Sequence, residues 1–150
     1  MNDEDQVTEP VGERLGYLFK RVQQALEREL NRQLRTLNLS IAQYAALAAL
    51  EEQPGLSNAD LAERCFVTPQ TMHQITARLE RQRWLARSPH PDHGKIVKLT
   101  LTESGQRLLY DAHSLVLAVE KQLTAELGKG EQAQLRSILG TYLKALQTPL

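Results

Sequence analysis

The stretch from Ser57 to Lys98 constrains the fold of this chain more than any other part of it. It carries two helix start signals in close succession: Ser57 is followed three residues later by Asp60, and Thr68 stands directly before Pro69. A segment interrupted by proline and glycine then separates two short strand-like runs. This order predicts a helix-turn-helix followed by a two-stranded wing, an arrangement that binds duplex DNA.

The second helix of this unit has one apolar and one polar face. Met72, Ile75 and Leu79 are spaced three and four residues apart, which predicts a buried stripe. Polar side chains fill the first turns, where a recognition helix contacts base edges. An ordinary solvent-exposed helix would show a similar face. The assignment as a recognition helix therefore depends on the surrounding helix-turn-helix and wing pattern. We expect base contacts from Gln70, Thr71, His73 and Gln74. Phosphate contacts are expected from Thr68, Arg78, Arg81 and Arg87.

The distribution of charge supports the same interpretation, although the formal net charge of the 150 residues is zero. Residues 57–98 hold seven Lys or Arg against four Asp or Glu, whereas the first ten residues hold acidic residues and no basic ones. Positive charge concentrated in the predicted DNA-reading unit favours contact with phosphates, and it makes such binding sensitive to salt.

Helical periodicity extends over most of the remaining chain. Helices are predicted at about Val11–Leu37, Ile41–Gln53, Asn58–Arg64, Glu103 to about Leu127 with Gly128 as the C′ residue, and Glu131 to about Gln147. The wing strands are predicted at Trp84–Arg87 and Lys95–Leu101, with the turn between them. The predicted fold is therefore mainly α: a winged helix-turn-helix with N- and C-terminal dimerisation helices and a two-stranded β wing.

The long first and last helices carry apolar stripes that one small domain does not need, so we expect them to pair two copies of the chain as a homodimer. We predict a disordered acidic N-terminus over residues 1–10, a helical dimerisation region over 11–38 and 103–150, and a DNA-binding region over 39–102. No apolar run is long enough to span a membrane and the chain begins without a signal-sequence pattern, so we expect a cytoplasmic protein with no membrane partner.

Three segments resemble the MarR-type family of winged-helix transcriptional regulators: LSNADLAERCFVTPQTM at the helix-turn-helix, LERQRWLARSPHPDHGK at Leu79–Lys95, and LTLTESG at Leu99–Gly105. The resemblance extends from about Val11 to Leu146. It implies a homodimer that binds a palindromic operator. In this family, small-molecule effectors or oxidation often release the protein from DNA. We expect a repressor rather than an activator.

The resemblance also implies particular site residues. The wing tip would comprise Asp92, His93 and Lys95, with Lys95 replacing the arginine that the family usually inserts into the minor groove. Because lysine lacks the planar guanidinium, weaker minor-groove reading is expected. Arg83 stands where the family often has glycine. The resemblance implies an effector pocket as well, with four candidate polar lining residues: Arg21, Tyr44, Tyr110 and His113. Each of them could equally lie at the edge of the core.

Other functions find less support in the residues. Cys65, the single cysteine, could sense oxidation, but its position beneath the recognition helix favours a buried structural thiol. His90, Asp92 and His93 of the wing turn could suggest a metal site, but they have no fourth ligand nearby in the sequence, so we expect neither a metal nor another cofactor. The sequence has no Gly-rich phosphate loop and no nucleophile elbow, which argues against an enzyme with catalytic residues. A winged helix that binds protein rather than DNA is the other alternative.

Overall fold

The computed structural model describes residues 10–92 and 94–147. Its elements are α1 (Leu15–Leu34), α2 (Ile41–Glu52), α3 (Asn58–Arg64), α4 (Pro69–Arg81), β1 (Leu85–Pro89), β2 (Val97–Leu101), α5 (Glu103–Leu123) and α6 (Lys129–Gln147). Short 3-10 turns at Val11–Glu13 and Arg35–Leu37 flank α1. The prediction of a mainly helical, winged helix-turn-helix fold is confirmed. The N-terminal segment predicted to be disordered lies, except for Pro10, outside the described residues.

Polar side chains set the starts of the helices, as the sequence predicts. The Gln43 N–H donates to the Ser40 hydroxyl (3.1 Å) and the Ser40 N–H donates to the Gln43 side chain (2.9 Å), which completes a capping box at α2. At α4, the Thr71 N–H donates to the Thr68 hydroxyl (3.1 Å), and Pro69 occupies the first helical position, where no N–H is needed. The cap of α4 determines which residues lie on its first turn.

Three helical segments end on a residue in the left-handed conformation, with φ of 56°, 57° and 60° for Asn38, Phe66 and Arg83. At the end of α4, the Arg83 N–H donates to the Glu80 carbonyl (2.9 Å) and the Trp84 N–H donates to the Leu79 carbonyl (3.0 Å), the pattern of a Schellman motif. Glycine is the usual residue at such a position because a side chain at positive φ costs about 1–2 kcal/mol. Arg83 therefore adopts the conformation that favours glycine.

The helix-turn-helix and the wing pack around one apolar core, in the unit of the structure that ends at Val116. Its fully buried large apolar side chains come from five helices and β2: Leu34, Leu47, Leu50, Leu61, Met72, Leu79, Leu99 and Leu109. Burial of this size is the main favourable term in folding. The core holds one face of α4 and leaves the other face at the surface.

The wing is attached to the core at its base. β1 and β2 pair antiparallel from Leu85↔Leu101 to Pro89↔Val97. Leu56, in the segment before α3, adds a single bridge: the Leu99 N–H donates to the Leu56 carbonyl at 3.0 Å. Because an isolated two-stranded ribbon is only marginally stable, this attachment and the burial of Leu99 stabilise the wing.

The end of α4 and the start of α5 meet beside the wing. The Thr102 hydroxyl donates to the Arg83 carbonyl (2.6 Å) and accepts the Gly105 N–H (3.0 Å), and the Ser104 hydroxyl donates to the same carbonyl (2.8 Å). A Cβ atom on Gly105 would lie 2.0 Å from the Trp84 carbonyl oxygen. No side chain fits at position 105, so the close approach requires glycine.

The prediction for the end of α5 is wrong. α5 ends at Leu123 rather than near Leu127. Gly128 does not cap it: the Gly128 N–H donates to Glu131 Oε2 (2.7 Å) and the Gln132 N–H donates to the Gly128 carbonyl (3.0 Å), so this glycine precedes α6. α6 accordingly begins at Lys129 rather than Glu131. Apolar residues continue through the break at helical spacing, which is why periodicity could not locate it.

The predicted wing strands are displaced by about two residues. β1 includes Ser88 and Pro89, which the sequence placed in the turn, and β2 begins at Val97 rather than Lys95. Pro89 is tolerated because a proline at the outer end of a two-stranded ribbon removes no ladder bond from a neighbouring central strand. The ribbon continues one step further, since the His90 N–H donates to the Ile96 carbonyl at 2.8 Å.

A second unit begins at Leu117 and contains the end of α5 together with α6. The apolar side chains of α6 are 38–85% exposed: Leu135, Ile138, Leu139, Tyr142, Leu143 and Leu146. In the first unit, the first half of α1 likewise leaves apolar side chains 39–61% exposed: Leu15, Leu18, Phe19 and Val22. Within the described ranges, none of the helices is both long and apolar enough to cross a membrane.

Replacing Gly105 with alanine is expected to lower the free energy of unfolding by about 3 kcal/mol, because the added methyl forces the Trp84 carbonyl or the start of α5 to move. Urea unfolding followed by circular dichroism at one protein concentration measures this. The control is Gly130→Ala near the start of α6, where an added Cβ meets nothing within 4 Å; it should raise stability by up to about 1 kcal/mol. Equal effects at the two glycines would contradict the role of the close approach.

Candidate nucleic-acid interface

The exposed face of α4 carries most of the residues predicted to contact DNA. These side chains are exposed and lie opposite buried Met72 and Leu79: Gln70, Thr71, His73, Gln74, Arg78 and Arg81. Arg78 and Arg81 form no ion pair with any described residue, so their guanidinium groups are available to phosphates. The face presents side chains of the types that pair with adenine, with guanine or with the backbone of DNA.

The start of α4 is held by hydrogen bonds from its own cap residue and from α3. The hydroxyl of Thr68 accepts the Thr71 N–H and also donates to the Thr71 hydroxyl at 2.9 Å. The Asn58 side chain of α3 donates to the Pro69 carbonyl at 3.1 Å and thereby connects the two helices of the helix-turn-helix. A helix start with a fixed position presents its first turn in one orientation, which precise base contacts require.

The wing contributes a basic surface beside α4. Arg87 on β1 donates from Nε to Glu80 Oε2 at 2.7 Å and from Nη2 to the Thr76 hydroxyl at 3.2 Å. Lys95 and Asp92 are exposed near the tip, and the Asp92 N–H donates to His90 Nδ1 at 3.1 Å. His93, the third predicted residue of the wing tip, lies outside the described residues.

A cleft of about 640 Å³ separates the wing from the helix-turn-helix. Basic and polar side chains from both sides line it, among them Ser57, Asn58, His73, Arg87, His90 and Lys95. Asp60 also lines the cleft, so its basic character comes from Arg87 and Lys95. His73 of α4 and Lys95 near the wing tip both line the cleft, which therefore lies between the two predicted DNA-contacting elements. Arg64 adds less positive charge to this region, because its guanidinium pairs with Glu52 and Gln53.

Comparison with known proteins assigns the chain to a family. A MarR family model matches residues 37–96. The HTH-type transcriptional repressor Rv2887 of Mycobacterium tuberculosis is 34% identical to this chain over 125 residues, which cover 83% of this chain and 90% of that repressor. The chain belongs to the MarR family.

Solved structures of MarR-family proteins show the same fold. The transcriptional repressor CouR, bound to a 23-mer DNA duplex, is similar with a TM-score of 0.82 at 27% identity, over 89% of this chain and 94% of that chain. The Rv2887 complex with salicylic acid is similar with a TM-score of 0.72 at 31% identity, over 91% of this chain and 98% of that chain. The resemblance predicted from the sequence motifs is confirmed.

Two of the four residues proposed for an effector pocket in this MarR-family chain are in direct contact. The Tyr44 hydroxyl lies 2.9 Å from His113 Nδ1, and His113 Nε2 lies 2.8 Å from Glu51 Oε2. A neutral imidazole with its proton on Nε2 satisfies both contacts, since it donates to Glu51 and accepts from Tyr44. This chain of three side chains connects α2 with α5. Arg21 lies along a shallow groove on α1, and Tyr110 is 74% exposed.

Several residues that shape the interface were not among those predicted from the sequence. Thr76 and Asn58 contact each other across α3 and α4 at 3.4 Å, and Glu80 reaches Arg87 across the turn that ends α4. Glu51 completes the contact of His113 although 62 positions separate them. A threonine in the apolar stripe of α4 was the one clue, because a polar residue at a core position needs a hydrogen-bond partner.

The surroundings of Cys65 match those of a structural thiol. Its side chain is partly buried and packs against the core. Burial raises the pKa of the Cys65 thiol above its ordinary value, and nearby Arg64 offsets this shift only in part. A raised pKa reduces the thiolate fraction at neutral pH, and the thiolate is the reactive form. In the described part of the chain, no three His, Cys, Asp or Glu side chains are grouped closely enough to hold a metal ion.

Alkylation of Cys65 by iodoacetamide at neutral pH should therefore be at least about tenfold slower in the folded protein than in the same protein unfolded in urea. The rate should increase with pH as the thiolate fraction increases. Mass spectrometry over time measures both rates. If the folded protein were alkylated as fast as the unfolded one, Cys65 would be accessible and reactive, and a role in sensing oxidation would be favoured.

Proposed function

We propose that this chain is a transcriptional repressor that binds a palindromic operator in duplex DNA as a homodimer. The observation that carries the proposal is the polar, partly basic face of α4, which is exposed from its first turn while Met72, Thr76 and Leu79 on the opposite face are buried. Its relative Rv2887 is named a repressor, and the similar CouR structure contains a DNA duplex. Both findings support DNA as the partner here.

The apolar surface of α1 and α6 supports the homodimer. A chain that leaves Phe19 and Val22 of α1, and Leu143 and Leu146 of α6, at least 44% exposed presents more apolar surface than a monomer of this size normally keeps. A two-fold dimer would cover this surface, and it would place two copies of α4 about one helical turn of DNA apart. In this scheme residues 11–38 and 103–150 dimerise and residues 39–102 bind DNA.

The proposed DNA contacts follow from position and chemistry. The first turns of α4 would read bases through Gln70, Thr71, His73 and Gln74. Phosphates would be held by Thr68, Arg78, Arg81 and Arg87. Asp92, His93 and Lys95 would form the wing tip, with Lys95 as the cation directed at the minor groove. These roles involve no catalysis, and a DNA-binding regulator of this kind acts in the cytoplasm.

A small-molecule effector would complete the mechanism. The salicylic acid complex of Rv2887 makes an aromatic acid the first class to test. The contact between Tyr44 and His113 lies where α2 meets α5, so a ligand bound there could change the position of the reading unit relative to α5. Arg21 and Tyr110 are the other proposed lining residues.

The test of function is selection of DNA from a random duplex pool, at low and at physiological salt. An inverted repeat that is enriched at both salt concentrations is expected, with half-sites centred about 10 base pairs or a multiple of that apart. Enrichment that occurs only at low salt and without a common motif would show phosphate attraction without sequence reading. No enrichment at either salt would instead favour a winged helix that binds protein.

Two substitutions on α4 separate base reading from phosphate binding. Gln74→Ala should change which sequences are enriched, since one well-placed amide pair discriminates bases by about 1–3 kcal/mol. Arg78→Ala should weaken binding to all duplexes alike. The slope of log affinity against log salt concentration should become less steep, by the amount that corresponds to about one phosphate contact per subunit. Titrations by fluorescence anisotropy measure both effects.

The control for these substitutions is Arg107→Ala on α5, which removes an exposed arginine that forms an ion pair with exposed Glu103. It should leave affinity and sequence preference unchanged. If Gln74→Ala and Arg78→Ala change sequence preference to the same extent, the assignment of roles is wrong.

A further inference from the structure

Thr76 is a polar residue in the buried stripe of the recognition helix. Its side chain is fully buried, between Met72 and Leu79 along the face of α4 that contacts the core. Valine has nearly the same shape and would fill the site without a polar atom. A buried hydroxyl is tolerated only when it forms hydrogen bonds, so the partners of Thr76 indicate what it does.

The hydroxyl of Thr76 has partners on three parts of the reading unit. Arg87 Nη2 on the wing donates to it at 3.2 Å. The hydroxyl donates its own proton towards Asn58 Oδ1 of α3 at 3.4 Å or towards the His73 carbonyl at 3.3 Å. One buried oxygen therefore connects α4 with β1, and it connects α4 with α3 as well when its proton is donated to Asn58.

The guanidinium of Arg87 is held at two points. Thr76 accepts from Nη2 and Glu80 accepts from Nε, and these two partners are one helical turn apart on α4. An ion pair with Glu80 alone would leave the plane of the guanidinium free to rotate about one contact. The second contact fixes that plane and leaves the remaining N–H groups of Arg87 for a ligand at the cleft, which this residue lines.

We infer that Thr76 is a positioning residue, which orients Arg87 so that the wing and the recognition helix contact the DNA backbone as one rigid surface. This inference rests on the proposed function, because Arg87 is there a phosphate contact. An arginine that is already ordered loses less rotamer freedom when it contacts a phosphate than one that is free. The hydroxyl thus acts on DNA affinity through Arg87, without contacting DNA.

The test compares Thr76→Val, which keeps the shape and removes the hydroxyl, with Thr76→Ser, which keeps the hydroxyl. Binding to a labelled mixed-sequence duplex of about 30 base pairs is measured by anisotropy between about 50 and 200 mM salt. Thr76→Val should bind the duplex about five- to tenfold more weakly. Its slope of log affinity against log salt concentration should be less steep, by the amount that corresponds to about one phosphate contact per subunit. Thr76→Ser should retain the wild-type salt dependence.

A double-mutant cycle tests whether Thr76 affects DNA affinity through Arg87. In Arg87→Ala the hydroxyl has nothing left to position, so adding Thr76→Val should cause no further loss of DNA affinity. Thermal unfolding is measured alongside and should show Thr76→Val to be about as stable as the wild type, because valine fills the same space and the partly exposed Arg87 side chain can bond to water instead. If the valine variant does not fold, Thr76→Ala removes the same hydroxyl with more space and replaces it in every measurement.

The outcomes separate this inference from the proposed function. Wild-type protein that binds the duplex, together with a Thr76→Val variant of equal affinity and equal salt dependence, would overturn the positioning role and leave the repressor proposal in place. Losses that add in the double variant would also overturn it, because Thr76 would then act independently of Arg87. Wild-type protein that binds no duplex would remove both proposals.

Discussion

The contact between Gly105 and the Trp84 carbonyl, together with the hydrogen bonds of Thr102 and Ser104 to the Arg83 carbonyl, holds the reading unit in place. It joins the last turn of α4, the base of the wing and the first turn of α5 at one point. The left-handed conformation of Arg83 turns the chain so that these carbonyls face α5. A second connection between α4 and the wing comes from Arg87, which donates to Glu80 and to Thr76.

The remaining features of the interface follow from that attachment. Since one face of α4 is buried in the core, its polar face points outward, and the cap at Thr68 determines which side chains lie on its first turn. The charges act on the same surface. A chain of zero net charge attracts DNA only through a local excess of cations, and Arg78 and Arg81 supply it without intramolecular ion pairs to acidic groups among the described residues.

Local interactions explain what could be predicted from the sequence. Helix starts at Ser40 and Thr68 and the order of the elements depend on residues within one or two turns of each other, and these predictions were confirmed. The buried stripe of α4 was predicted in part: Met72 and Leu79 are buried, whereas Ile75 is half-buried and Thr76 is fully buried. The end of α5 was not predictable, because apolar spacing continues past Leu123 and Gly128 serves as the start of α6. Glycine before a helix and glycine after a helix look alike in one sequence.

The candidate site was predictable only in part, for the same reason. Exposed residues of α4 could be named from their spacing, whereas the pairing of Arg87 with Glu80 and Thr76 depends on how the wing folds back. The contact of His113 with Glu51 joins helices that are distant in the chain. Such contacts are properties of tertiary packing, which no local pattern encodes.

The base of the wing has one further consequence, for how proteins of this architecture can diverge. The ribbon is closed at its base by the Leu85↔Leu101 pair and by the hydrogen bond from the Thr102 N–H to the Trp84 carbonyl (3.1 Å), so both ends of the hairpin are anchored at the same place. Residues inserted or deleted in pairs beyond Pro89 would lengthen or shorten the hairpin without moving either anchor. The length of the wing along a DNA groove can therefore change without a change in the position of the recognition helix.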